Sequence, residues 1–169
     1  MLVGGYSDEF AGAHFLSAQS LEKVLFMGIR RKARELALQA LYQMETTGNL
    51  CPKGPDLFWN HFESSLRSRE FAERLIAGAV EHRDVIDPLI EQAAENWKLD
   101  RMPRVDRNIL RVATYELLFC PDIPANVAID EAIEVSKRYG SEESPTFING
   151  VLDQVSNANA AKRSEAPKS

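Results

Sequence analysis

Residues 30–45 read RRKARELALQALYQME, and the apolar side chains of this stretch recur at helical spacing. Steps of three and four residues place side chains on one face of an α-helix. Gly48 stands where a C-terminal cap would end such a helix. We therefore predict an amphipathic helix over residues 29–47. Its apolar face comprises Ala33, Leu36, Ala37, Ala40, Leu41 and Met44.

Similar patterns follow toward the C-terminus, separated by breaks that contain proline or glycine. They predict further helices over residues 57–67, 70–83, 88–97, 105–117, 124–139 and 144–155. Asp87-Pro88 is expected to mark a kink or a new helix start. No segment alternates clearly enough to predict a strand. The sequence thus predicts an all-α fold of about seven helices, in two packed helical subdomains that meet near residue 100.

The same patterns divide the chain into four parts. An N-terminal extension covers residues 1–28, and two helical subdomains cover residues 29–100 and 101–158. The remainder, residues 159–169, is expected to be a flexible tail because it has no apolar stripe to bury.

The composition is that of a globular protein. The chain has 169 residues, of which 44% are hydrophobic and 27% charged, and its formal net charge is −5. Acidity counts against nucleic acid as a partner, because phosphate binding needs a local excess of Lys and Arg. Cys51 and Cys120 stand far apart, outside any CxxC pattern, which fits a reducing cytoplasm better than secretion. We expect no bilayer-spanning segment and no signal peptide.

Motifs for catalysis and for cofactor binding are absent from the sequence. A di-iron helical bundle needs Glu-x-x-His pairs, and none of His14, His61 and His82 has Glu three residues before it. There is no HExxH, GxSxG, P-loop or GxGxxG. Asp130 and Glu134 lie one turn apart without a further ligand nearby, which favours a solvated or partner-facing helix flank. We therefore expect no enzyme, no cofactor and no metal site.

One local feature contradicts the overall acidity. The start of the first predicted helix carries a basic cluster consisting of Arg30, Arg31, Lys32 and Arg34. Cations are unfavourable at a helix N-terminus because of the helix dipole, so the cluster suggests an anionic ligand such as a phosphate backbone. Gln39, Tyr42 and Gln43 follow one to two turns on and could supply amide hydrogen bonds and a surface for base stacking. A solvated basic helix end remains the alternative.

Four blocks of the sequence resemble the NusB family of bacterial transcription antitermination factors. They are RRKARELALQALYQME (30–45), VDRNILRVATYEL (105–117), IPANVAIDEAIEVSKRYG (123–140) and FINGVLD (147–153). The resemblance covers about residues 28–157. It implies an all-helical protein of two packed three-helix-type bundles without catalytic activity.

The resemblance also implies partners. A NusB-like protein is expected to bind NusE, a small-subunit ribosomal protein, and to bind with it the single-stranded boxA element of ribosomal RNA leader transcripts. The complex is expected to join RNA polymerase and other Nus factors and to suppress premature termination. A basic protein partner would also account for RNA binding by an acidic chain.

Particular residues match the family's functional positions. The resemblance assigns Arg30, Arg31 and Arg34 to RNA, together with Glu143 and Phe147 near the last helix. It assigns Asp106 and Glu116 to the surface that faces NusE. Gln39, Tyr42 and Gln43, further along the first predicted helix, are additional candidates for RNA binding. For Tyr42 and Phe147, packing in the core is an equally good interpretation of their spacing.

Two departures from the family pattern stand out. Residues 1–26 match nothing in the family, whereas Met27 and the residues after it resemble an ordinary family N-terminus. The extension is therefore expected to be disordered or to result from a start codon assigned too far upstream. Thr146 stands where the family often has a basic residue, which weakens the expected RNA contact beside it.

Two alternatives come from other functional classes. The chain could be the RNA-docking module of a ribosomal RNA cytosine methyltransferase, although it contains neither a Gly-rich cofactor loop nor the α/β domain that this enzyme would need. It could also be a structural homodimer whose basic face is covered by a second copy. The sequence does not decide between a dimer and a monomer.

Overall fold

Six α-helices and one 3-10 turn form the regular structure of the described residues, which are 18–48, 59, 65–95 and 97–165 in this computed structural model. The helices are α1 (Ala18–Thr47), α2 (Leu66–Glu81), α3 (Arg83–Ala93), α4 (Arg104–Phe119), α5 (Ala125–Tyr139) and α6 (Ser144–Glu165), with the 3-10 turn Leu99–Arg101 before α4. The prediction of an all-α fold is confirmed. Most of the predicted helix over residues 57–67 lies outside the described residues, as does Cys51.

The first and last helices are longer than predicted. α1 begins at Ala18, so part of the predicted extension is helical, and α6 continues to Glu165 through most of the predicted tail. Apolar periodicity marks only the helical turns that are buried, whereas a helix can continue into solvent as long as no helix breaker intervenes. No proline separates Ala18 from Ile29 or Ala158 from Glu165, and the added turns are composed mainly of residues with adequate helix propensity.

The break between α2 and α3 also differs from the prediction. It lies at His82, ahead of Asp87-Pro88, and α3 starts at Arg83 without an intervening loop. The His82 ring contributes to this break, since its Nδ1 lies 3.1 Å from the carbonyl oxygen of Gly78, at the end of α2. At its other end α3 stops at Ala93, so Trp97 follows the helix instead of extending its apolar stripe.

α4 is the central helix of the described fold. It packs against α1, α2, α3, α5 and α6. It is buried at every position from Asn108 to Leu117, which is why its sequence is apolar on several sides. The apolar face predicted for α1 is buried against this arrangement at all six positions.

α2 and α4 are in close contact at Gly78. A Cβ atom placed on Gly78 would lie only 2.0 Å from the ring of Tyr115. That ring cannot move away freely, because it is buried and stacks against Phe119, with ring centroids 5.6 Å apart. A residue without a side chain is therefore required at this helix crossing.

Gly78→Ala should lower the free energy of unfolding by about 1–3 kcal/mol, the usual cost of overpacking a close contact. Gly150→Ala is the matched control, since Gly150 is also helical but has open space around its Cα. That control should be neutral or stabilising by up to about 1 kcal/mol. Urea denaturation followed by circular dichroism measures both changes, and equal stabilities of the two variants would contradict the close contact.

Candidate nucleic-acid interface

The basic cluster of α1 faces carboxylates on α4 and α5. Arg34 binds Glu116 through two parallel hydrogen bonds, from Nε at 2.8 Å and from Nη2 at 2.7 Å. Both side chains are buried, with 4% and 1% of their surface exposed. Burial raises the pKa of Glu116, and the Arg34 guanidinium offsets this only in part. Arg34 and Glu116, predicted to contact RNA and NusE respectively, form a buried ion pair with each other.

Arg31 also forms an ion pair with two hydrogen bonds to a carboxylate, but its side chain remains accessible to solvent. It donates to Glu131 from Nε at 2.9 Å and from Nη2 at 2.7 Å. The hydrogen bonds to Glu131 raise the pKa of Arg31 above its usual value. Glu131 also lies 3.5 Å from Nη1 of Arg34, so that two arginines and two carboxylates join α1 to α4 and α5. The ionic contacts cancel most of the positive charge that Arg31 and Arg34 would show to a ligand.

The polar residues further along α1 point in different directions. Gln39 is half-buried, and its Nε2 donates to the hydroxyl of Tyr139 at 3.3 Å, while its Oε1 is buried without a hydrogen-bond partner. Tyr42 and Gln43 are exposed. Of the two interpretations of Tyr42, the structure therefore favours the surface over the core, and it leaves Gln39 committed to packing against α5.

A second group of predicted residues meets at a groove of about 290 Å³ beside the start of α6. Asp106, Glu143 and Phe147 all line this groove. Phe147 is half-buried and contacts Trp97 edge to face, with ring centroids 6.2 Å apart. Asp106 is buried and accepts a 2.7 Å hydrogen bond from the Ser144 hydroxyl. Burial raises the pKa of Asp106 above that of an ordinary aspartate.

Trp97 also lines this groove and was not among the candidate residues predicted from the sequence. Its side chain is 53% exposed, which is unusual for tryptophan in a folded protein. The sequence pattern placed it on an apolar helical stripe, whereas α3 has already ended at Ala93.

The comparisons with known proteins identify the family. A sequence model of the NusB family matches residues 31–157. The chain belongs to the NusB family. The match starts at Arg31, so the first turns of α1 lie outside the part that defines the family.

Curated NusB relatives are similar over most of their length. The transcription antitermination protein NusB of Trichlorobacter lovleyi is 52% identical over 129 residues, which cover 76% of this chain and 91% of the relative. The protein of the same name from Bacillus thuringiensis is 51% identical over 126 residues, covering 75% of this chain and 95% of the relative. These names describe antitermination proteins and not enzymes.

Solved NusB structures share the fold. NusB of T. maritima superposes with a TM-score of 0.70 at 42% identity, over 79% of this chain and 94% of that one. A structure described as antitermination factors NusB and NusE in complex with dsRNA gives 0.67 at 29% identity, over 78% of this chain and 98% of that one. Among the described helices none is both long and apolar enough to cross a membrane. The described residues also bring together no three side chains suited to hold a metal ion.

Arg34→Ala should destabilise the protein by about 3–5 kcal/mol, because it leaves Glu116 buried without its cation. Losing Arg34 should also raise the pKa of Glu116 further. When the pKa of a carboxyl is higher in the folded state than in the unfolded state, the free energy of unfolding falls as the pH rises above the unfolded-state pKa. The loss of stability caused by Arg34→Ala should therefore be larger at pH 8 than at pH 5. Denaturation at both pH values measures this.

Two further variants control this prediction. Glu116→Gln in the Arg34→Ala background should restore part of the stability and remove the added pH dependence. Lys32→Ala, at an exposed position on the same helix, should change stability by no more than about 0.5 kcal/mol. An Arg34→Ala protein as stable as the Lys32→Ala protein would contradict a structural role for the pair.

Proposed function

We propose that this NusB-family chain acts in transcription antitermination by binding single-stranded boxA RNA of ribosomal RNA leader transcripts together with NusE. The resulting complex joins RNA polymerase and other Nus factors in the cytoplasm and suppresses premature termination. The observation that carries this proposal is the family match over residues 31–157, supported by similarity to a NusB structure in complex with NusE and dsRNA.

The proposed RNA surface has two parts. On α1 it uses Arg30, Arg31 and the exposed Tyr42 and Gln43. At the start of α6 it uses Phe147 beside the exposed Trp97, where an unpaired base could stack. Glu143, at the same groove, is proposed to limit affinity by repelling phosphate.

The need for a protein partner follows from the charges. Arg31 and Arg34 are each paired with a carboxylate, so this chain attracts phosphate only weakly by itself. We propose that NusE docks against the second subdomain near Asp106 and adds cations to a shared RNA site. Glu116 contributes to this surface indirectly, by holding α4 against α1 through Arg34.

The test is a binding titration with the purified full-length chain and NusE. A fluorescent single-stranded RNA that carries boxA is compared with a scrambled RNA of equal length by fluorescence anisotropy. The two proteins together should bind boxA RNA at least about tenfold more tightly than either alone, a coupling of about 1.4 kcal/mol. They should also bind boxA RNA more tightly than the scrambled RNA.

Two results would overturn the proposal. One is equal affinity of the protein pair for boxA and scrambled RNA. The other is a stable homodimer in light scattering whose mass does not change when NusE and RNA are added, which would favour the structural alternative. Methyltransferase activity toward ribosomal RNA in a complex of this chain would favour the other alternative.

A further inference from the structure

One carboxylate beside the middle of α1 pairs with two arginines. Asp122, in the turn between α4 and α5, accepts from Arg74 of α2 at 3.0 Å and 3.5 Å. Its other contact is with Arg30 of α1, at 3.4 Å. Because Arg31 and Arg34 have carboxylates of their own, the uncompensated positive charge on this side of α1 lies at Arg30 and Arg74.

These three groups remain within reach of a ligand. The side chains of Arg30, Arg74 and Asp122 are 25%, 41% and 44% exposed. The hydrogen bonds from Arg74 hold the pKa of Asp122 below its usual range, so the carboxylate is ionised at neutral pH. The cluster therefore carries two positive charges and one negative charge, a net of +1.

Two aromatic rings hold Arg30 in place. Its guanidinium carbon lies 4.5 Å from the ring centroid of Phe26 and 5.0 Å from that of Phe71. Stacking of a guanidinium on rings restricts its motion and leaves its in-plane N–H groups free to donate to an acceptor. A group that is ordered before binding loses less entropy on contact with a ligand.

A cleft of about 620 Å³ continues from this cluster between the first turns of α1 and the start of α2. Phe26 lines both the cleft and the site of Arg30. Lys23 and Arg67 also line the cleft, and neither forms an ion pair within the part of the chain that the structure describes. Among the described residues that line the cleft, Glu22 is the one acidic residue, so these residues add a further net positive charge.

We propose that Arg30 and Arg74 form a binding site for RNA phosphate, and that Lys23 and Arg67 extend this site along the α1–α2 cleft. This inference rests on the proposed function and places part of the RNA backbone on α2. A phosphodiester offers two acceptor oxygens to the forked donors of arginine and takes the place of Asp122 as acceptor. The phenylalanine rings beside the cations also suit a nucleic acid, whose bases stack on aromatic surfaces, better than an acidic peptide.

The experiment compares three variants of the full-length chain with NusE present, by titrating boxA RNA at several salt concentrations. Arg74→Ala should weaken binding by roughly fivefold and lower the salt slope by about one. Arg69→Ala is the matched control on the same helix, because Arg69 is exposed but paired with Glu73 at 2.9 Å, and it should change neither quantity. Asp122→Asn should tighten binding, because it removes the competing carboxylate.

Every outcome of this experiment bears on the inference. If the unmodified chain binds boxA RNA, and Arg74→Ala has the same affinity and salt slope as Arg69→Ala, the assignment of the phosphate-binding site is wrong. The proposed function would still stand in that case. If the unmodified chain and NusE do not bind boxA RNA, the proposed function itself fails. Competition by poly-glutamate as strong as that by RNA of equal charge would instead indicate a site for an acidic protein segment.

Discussion

The buried ion pair between Arg34 and Glu116 is the contact on which the arrangement of helices depends. Hydrophobic packing alone would let α1 rotate or slide against α4, because apolar contacts have little directional preference. A forked guanidinium on a buried carboxylate fixes the rotation of α1 and its position along α4, because any shift would leave a buried charge without its partner. α4 in turn contacts five other helices, so its alignment with α1 sets the position of the groove beside α6 as well.

This pairing changes how the charge of the chain should be interpreted. The net charge of −5 argues against nucleic acid, and the basic cluster of α1 argues for it. The structure resolves part of the conflict, because two of the four cationic residues of the cluster, Arg31 and Arg34, pair with carboxylates of α5 and α4. A ligand would contact only the positive charge that remains after these ion pairs form. On the side of α1 that faces α2, this charge lies at Arg30 and Arg74, away from the buried Arg34.

The sequence predicted the all-α class and the apolar face of α1, because helical periodicity is a local property that burial preserves. It could not predict the role of Arg34, whose partner is 82 residues away in the chain. Arg30, Arg31 and Arg34 look alike in the sequence, yet one is buried and the others are accessible. Arg74 was missed because Glu70 and Glu73 alternate with the arginines of this segment and mask any basic cluster, and only folding brings Arg74 to Asp122.

The long separation between α1 and its counter-charges matters during synthesis. A ribosome completes α1 well before it reaches Glu116 and Glu131, the carboxylates that pair with Arg34 and Arg31. Until those residues emerge, the nascent helix carries its arginines without compensation. Within residues 18–47, five Lys and Arg residues stand against three Glu, so the newly made helix is net positive. Folding of the later helices then pairs two of its arginines and leaves a surface with fewer free cations.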